Sequence, residues 1–496
     1  MNLLSPEILL AMFLGGLYGA VFGALPGITA TLALSLFIPF ALFLPPEVGL
    51  AAIISLSATA IFAGDIGAVM ARIPGTPASA AYTEEIHELA QARGPAFALG
   101  LSALASALGS LVGTGLLVLG SLGMAAIARQ FSSFEYFWLV LLGVTSGILA
   151  APHIAKGLVA FALGMLLGTI GYDPALGHPR FTFGNPNLLG GVNFIVALIG
   201  LFGLSEVLFQ LLKGPGAKPQ SASLSLNGSA SRFFLEPLRL ILAKGGLFLR
   251  SSLLGTFIGF LPGAGSDFAA WVMSNFQRLA KGSRETVVLA GTAANNAAVA
   301  GTWIPALSLG LPGDTLTAIV LGLFLTLGIR PGPELFSRNL NLVVEIYLIF
   351  LLSSVLIMPL VGYLGSFLVG LATRLPRGVL LGGIAGLSLL GAYAINNNPF
   401  DLSVLAALGL LGLLLRLGDY PLGQVVLGLV LGPLLEQHLM VSMIKTHWDL
   451  FSFFERPVAL FLALVNLIFL VGMAWLRLRQ AKRLGALEAR ARKEEA

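Results

Sequence analysis

Two adjacent amides, Asn295-Asn296, sit inside an apolar stretch, GTAANNAAVAGTW, between two Pro-Gly breaks at Pro262-Gly263 and Pro312-Gly313. Amide side chains donate and accept, so the pair suits a carboxylate or a cation. A helix–helix hydrogen bond is the plainer alternative, although packing would use only one of two neighbours that point to different faces. The breaks offer free N–H groups at helix N-termini for anions and free carbonyls at C-termini for cations. Gly27, Gly75, Gly263, Gly265 and Gly313, with Pro26, Thr76, Ala264 and Pro312 beside them, let a ligand approach the backbone closely. Asp65, Asp267 and Asp314 are candidates for binding a coupling ion or proton. For Asp267 and Asp314 the alternative is helix capping. Thr29, Thr31, Ser57, Thr59, Ser266 and Thr302 supply hydroxyl oxygens, for a cation or for packing. Arg72 either pairs with a carboxylate or snorkels from a helix end to the interface.

Other chemistry finds little purchase. The chain has no cysteine, and His87, His153, His178, His438 and His447 show no metal-ligand spacing. The run Gly263-Ala264-Gly265-Ser266-Asp267 is similar to the Gly-x-Gly-Asp of intramembrane aspartyl proteases only with a residue inserted, and nothing selects a second acid. No enzyme, cofactor or resident metal is expected, sodium or a proton as coupling ion aside.

The elements that must position these residues are membrane helices. Of 496 residues, 57% are hydrophobic and 10% charged, with mean hydropathy +0.92; soluble domains carry about 25% charged residues. Apolar runs at 7–24, 28–44, 49–72, 96–120, 136–151, 155–171 and 188–212 predict an all-α polytopic membrane protein of about 11–14 membrane segments, some broken or re-entrant. The N-terminus lacks a basic region and carries Glu7, so it reads as a first membrane helix rather than a cleaved signal. Residues 78–94 are too polar to span and predict an interfacial helix or a docking arm. Residues 171–187 predict a turn-rich loop.

Residues 213–244 are hydrophilic at first and basic around, which makes them a cytoplasmic linker between a first membrane repeat, 1–212, and a second, 245–437. Aromatic residues mark 438–456 as an external loop before a last helix at 457–476. The basic tail, 477–496, is cytoplasmic. The net charge of +5 reflects these regions and not nucleic-acid binding.

The halves echo one another. Gly19, Gly23 and Leu25-Pro26-Gly27 recur 236 residues later as Gly255, Gly259 and Leu261-Pro262-Gly263. Pro74-Gly75 recurs as Pro312-Gly313, and Gly94-Pro95 as Gly332-Pro333, both at an offset of 238. Charge placement fits an inverted duplication, and paired breaks in corresponding places point to a transporter binding site.

At these residues the chain resembles the large membrane subunit of bacterial tripartite tricarboxylate transporters, the TctA family. The matching pieces run in family order: Leu25-Pro26-Gly27, Ile73-Pro74-Gly75-Thr76-Pro77-Ala78, Arg180-Phe181-Thr182-Phe183-Gly184, Leu261-Pro262-Gly263-Ala264-Gly265, Ala294-Asn295-Asn296-Ala297, Leu309-Gly310-Leu311-Pro312-Gly313 and Pro331-Gly332-Pro333. The resemblance implies a secondary carboxylate transporter of the bacterial inner membrane, driven by a sodium or proton gradient. It also implies a small membrane subunit and a periplasmic binding protein as partners. The chain departs from the pattern at Gly291-Thr292-Ala293, where Pro-Glu-Ser is usual. It departs again at Ala63-Gly64-Asp65, in place of Gly-Gly-Ser, and at Glu85-Ile86-His87, in place of Asp-Gly-Tyr. A channel or an assembly scaffold is the alternative from another class.

Overall fold

The structure, a computed structural model, describes residues 5–25, 29–151, 153–173, 177–213, 230–364 and 376–472. The Pro26-Gly27 break, most of the linker and the basic tail lie outside the described residues.

The first half runs α1 (Pro6–Ala24), α2 (Ala30–Ala41), α3 (Pro46–Ala71), α4 (Thr83–Arg93), α5 (Pro95–Ala128), α6 (Ser133–Ala150), α7 (Ile154–Gly168) and α8 (Phe194–Leu212). A two-stranded hairpin, β1 (Gly171–Tyr172) and β2 (Pro179–Arg180), precedes α8. The second half runs α9 (Ala230–Ala243), α10 (Gly245–Phe260), α11 (Gly265–Leu279), α12 (Arg284–Leu309), α13 (Thr315–Thr326), α14 (Pro333–Arg338), α15 (Leu340–Leu364), α16 (Arg377–Asn396), α17 (Phe400–Leu417), α18 (Leu422–Lys445) and α19 (Pro457–Gly472). Ten of the described helices are long and apolar enough to cross a bilayer, and the pair α9–α10, bent by 88°, supplies an eleventh. The protein is an all-α, multi-pass membrane protein.

Local chemistry sets many of the starts. Ser5 caps α1 by accepting from the Ile8 amide, with Pro6 in the first turn. Ser132 and Glu135 form a capping box on α6. α2 and α13 have 12 residues each, about 18 Å of helix, well short of a hydrocarbon core of about 30 Å. These two half-length helices pack on each other.

Small residues bring the long helices together. Gly15, Gly19 and Gly23 of α1 lie on the backbone of Ala52, Leu56 and Ala60, so α1 and α3 run parallel. Gly255 and Gly259 of α10 lie in the same way on Ala294 and Ala298 of α12. α5 runs parallel to α12, with Gly109 on Ala293 and Gly113 on Ala297. α15 runs with α3, through Ser55–Ser353 (2.8 Å) and Gly362 on Phe62. It runs against α5, through Ser110–Ser354 (2.8 Å) and Ser121–Tyr347 (2.5 Å). It follows that α3 and α12 are antiparallel, although each has 26 residues and ends on a left-handed residue, Arg72 (φ 58°) or Gly310 (φ 71°). The remaining helices exchange partners across the halves: α7 packs along α18, and α8 along α17.

Three expectations change in detail. The polar stretch 78–94 does form a helix, α4, but ion pairs anchor it from several sides. Glu84 meets Arg72, Glu85 meets Arg278 at 2.6 Å, Glu88 meets Arg284 at 2.5 Å, and Arg93 meets Glu285 at 2.7 Å. Arg72 is therefore spent on Glu84, and its hydrogen bond holds that carboxyl below the usual glutamate range. The 213–244 segment is not all linker, because its second part is α9, whose Phe233 packs on Gly100 of α5. The 438–456 segment is not all loop either. α18 continues to Lys445 because Ser442 bonds Ser133 at 2.8 Å and holds the helix end against α6.

Candidate functional site

A cavity of about 520 Å³ opens where four helix N-termini converge, those of α2, α11, α13 and α18. α2 brings Thr29 and Thr31, α11 brings Gly265, Ser266 and Asp267 with Gly263 and Ala264 just ahead, and α13 brings Asp314 and Thr315. Thr76 and Pro77 form one wall; Arg416, Tyr420 and Gln424 form another.

The four N-termini differ; α18, which begins behind Pro421, has no side-chain cap. Thr29 caps α2 by accepting from the Leu32 amide at 3.2 Å. Asp314 caps α13, its Oδ1 accepting from the Thr317 amide and hydroxyl at 2.8 Å each. The capping reading of Asp314 therefore holds. α11 has no side-chain cap, so its first-turn amides and positive end face the cavity unclaimed, the arrangement that attracts anions. The break ahead of it is rigid. Ser146 donates to the Pro262 carbonyl. Gly263 has φ 78°, and a Cβ there would run into Gly143 and Gly147 of α6, so only glycine fits.

The first-half break is tighter than the sequence suggests. The Gly75 amide donates to Gly64 O at 3.0 Å, and the Thr76 amide to Ser79 Oγ at 3.1 Å. These N–H groups are not free for a ligand; only the Thr76 side of the turn reaches the cavity. α11 holds this segment in place, with Asp267 beside the Ala78 amide and Trp271 Nε1 donating to Pro77 O at 3.1 Å. Gly313 packs on Thr302 as Gly75 packs on Gly64, and neither Pro312 nor Gly313 lines the cavity. Thr59 donates to Gly16 O at 2.8 Å and Thr302 to Val299 O at 2.7 Å, both inside the helix packing. Ser57 is buried with an unpartnered hydroxyl, away from the cavity.

Asn295 and Asn296 do not line the cavity either. Both are buried in the middle of α12, 1% exposed, and none of their four amide atoms has a hydrogen-bond partner. Asn295 lies beside Tyr82. Tyr82 is the centre of a second, buried polar cluster. Its hydroxyl donates to Asp65 Oδ2 at 3.1 Å, Ser102 donates to the same oxygen, and Asp65 Oδ1 has no partner.

Sequence reasoning missed Arg416. Its Nη1 lies 2.6 Å from Glu206 Oε2, and its Nε donates to Ser205 Oγ at 3.1 Å. Among the described residues lining the cavity it is the one Lys or Arg. A signal existed: Arg416 and Glu206 each interrupt an otherwise apolar run, and an ionisable residue inside a membrane helix is a functional candidate by default. A wider cleft of about 1280 Å³, bordered by Arg129, Arg330, Glu334 and His438, takes in Leu309, Gly310, Leu311, Pro331 and Pro333 but none of the candidate binding or ion-coupling residues.

No solved structure matches the chain. A 52.8 kDa protein of the TAR-I ttuC′ 3′ region in Agrobacterium vitis is 32% identical over 477 residues, covering 94% of this chain and 92% of that protein. A protein of the TAR-II ttuC′ 3′ region in the same organism is 34% identical over 217 residues, 41% of this chain. The family model described as "Tripartite tricarboxylate transporter TctA family" matches residues 9–427, a range that holds every break and the cavity between them. With the converging helix ends inside that range, the chain belongs to the tripartite tricarboxylate transporter TctA family.

Proposed function

We propose that this chain is the permease subunit of a binding-protein-dependent secondary transporter importing organic di- or tricarboxylates across the bacterial inner membrane. A sodium or proton gradient drives it. Its partners are a small membrane subunit and a periplasmic solute-binding protein, and its C-terminus is cytoplasmic.

The observation that carries this reading is the cavity itself. It is of small-molecule size and joins the uncapped N-termini of α11 and α18 to the Glu206-paired guanidinium of Arg416. One carboxylate of the substrate sits on the first-turn amides of α11, around Gly265 and Ser266. A second meets Arg416, whose planar fork suits a carboxylate. The Thr29, Thr31 and Thr76 hydroxyls complete the hydrogen bonding. A cation held at the same time offsets the negative charge of substrate, Asp267 and Asp314, and this ties uptake to its gradient.

The recurring contacts support an inverted duplication: parallel packing of α1 on α3 and of α10 on α12, with α3 antiparallel to α12. In such transporters one part rocks or slides against the other around the substrate. Here the part bearing α2, α11 and α13 moves against the α17–α18 side that carries Arg416. The test is uptake into proteoliposomes holding both membrane subunits, with purified binding protein and a panel of labelled carboxylates. Sodium and pH gradients are imposed separately. Saturable, gradient-driven uptake is expected. Current without saturation would make the protein a channel, and no flux of any carboxylate would leave a scaffold.

A further inference from the structure

We propose that Asp65 is a proton-binding site, loaded once per transport cycle through Tyr82, so that the proton is this chain's coupling ion. The inference rests on the transport reading above and adds the identity of the ion and its place.

Asp65 sits about three-quarters of the way along α3, the best enclosed helix of the first half, and is 1% exposed. Its Oδ2 accepts from Tyr82 and Ser102, two neutral hydroxyls, and its Oδ1 accepts nothing. No cation faces it. α2 carries no titratable residue. α1 has Glu7, in its first turn, and Tyr18, stacked on Phe22. α5 presents Ser102. α12 has Arg284 and Glu285 in its first turn, both paired outward to α4 residues. α15 has Glu345, Tyr347 and Tyr363; Tyr347 bonds Ser121, and Tyr363 lies against Phe233 and Phe234. On α4, Glu84, Glu85, Glu88 and Arg93 are in ion pairs, and His87 meets the Val69 carbonyl at 3.0 Å.

A carboxylate with two hydroxyl donors and no counter-charge is costly in such a place, and the group takes a proton instead. Tyr82 donates to Oδ2, so the proton it hands over is taken there, and Oδ1 stays the unpartnered carbonyl oxygen. Tyr82 links the site to the cavity: its ring lies against Gly291 of α12, Asn295 is beside it, and Asp267, which lines the cavity, is the next acid beyond. The proton passes from the cavity side at Asp267 to the Tyr82 hydroxyl, which gives up its own proton to Asp65. Protonated Asp65 neutralises the enclosed core in the arrangement described here. Releasing the proton leaves a buried negative charge, which destabilises that arrangement and favours the other side of the cycle.

The test uses the full chain in lipid with both readouts on one preparation. Infrared spectroscopy of the wild type should show the C=O stretch of a protonated carboxyl group that Asp65→Asn removes. In proteoliposomes with the small membrane subunit and binding protein, Asp65→Asn should lose accumulation driven by a pH gradient. It should keep exchange of labelled for unlabelled carboxylate, the sign that it folds and binds. Asp65→Glu, which retains a titratable group, should recover part of the pH-driven accumulation. PH-driven accumulation by Asp65→Asn at the wild-type level would overturn the proposal. So would wild-type uptake that follows sodium and ignores pH, or an unchanged infrared spectrum in Asp65→Asn. A wild type that shows the band but moves no carboxylate would instead overturn the transport reading and leave the proton site standing.

Discussion

The guanidinium of Arg416 lies 2.6 Å from the carboxylate of Glu206, an acid only 3% exposed on the neighbouring α8. The pair faces both ways: Glu206 is held within the protein, also accepting from Gln210 at 2.7 Å, and Arg416 reaches the cavity. Removing one member of a buried pair strands the other, at a cost of about 3–5 kcal/mol.

Arg416→Gln is expected to raise the half-saturation concentration for a dicarboxylate by about tenfold or more, about 1.4 kcal/mol of lost binding. A monocarboxylate should be affected less. Glu206→Gln is expected to lower thermal stability in detergent, and the double variant to recover most of that loss. Equal effects of Arg416→Gln on mono- and dicarboxylates would sink the anchor assignment.

The glycine contacts predict a second outcome. Gly259→Ala places a methyl group against the backbone of Ala298, and Gly23→Ala does the same at Ala60. Overpacking of this kind costs about 1–3 kcal/mol. Both variants should unfold at lower temperature than the wild type, by similar amounts. Gly378→Ala, where a Cβ meets nothing within 4 Å, should not.

Asn295→Ala and Asn296→Ala separate stability from transport. Their amides have no partner, so truncation removes no hydrogen bond, and losing an unsatisfied buried polar group is close to neutral or stabilising. Unchanged or higher melting temperatures are expected for both. Neither amide lines the cavity, so loss of uptake by a stable variant would bring the pair into the transport cycle, and normal uptake by both would leave it a buried part of α12.

A cysteine-free chain makes orientation simple to read. Ser221→Cys, in the linker outside the described residues, should label from the cytoplasmic side with a membrane-impermeant maleimide. Ser452→Cys, in the exposed segment after α18, should label from the opposite side. Labelling of both from one side would overturn the proposed topology.

Much of the fold is legible in the sequence because the bilayer demands long apolar runs: the expected 7–24 and 49–72 became Pro6–Ala24 and Pro46–Ala71. The breaks are legible because adjacent Pro-Gly pairs such as Pro262-Gly263 and Pro312-Gly313 end helices, where a lone Pro305 or Gly19 does not. Which side chains reach the cavity is not. Asn295 and Asn296 point to different faces, and on a half-buried helix one face would open to a ligand; α12 is enclosed on every side, so both faces close on protein. Arg416 lies about 150 residues beyond the α11 break it faces, and only the packing of α17 along α8 brings it there. Asp65 stood out as an acid in an apolar run, but its two donors come from α5 and from the turn before α4, which no local spacing announces.

The full enclosure of α12 also bears on how the protein is made. With a mean hydropathy of 1.2, its best window is the least apolar of the ten long helices. A segment that never meets lipid has no need of lipid-like side chains, yet during synthesis it enters the bilayer before its surroundings exist. Its Asn pair, Gly291 and Gly301 then weigh against insertion. α12 should therefore be a poor self-inserter that enters only once α5 and α10 are in place to receive it. Biogenesis of the second half thus depends on the first, and a chain synthesised from residue 245 onward would stall at this helix.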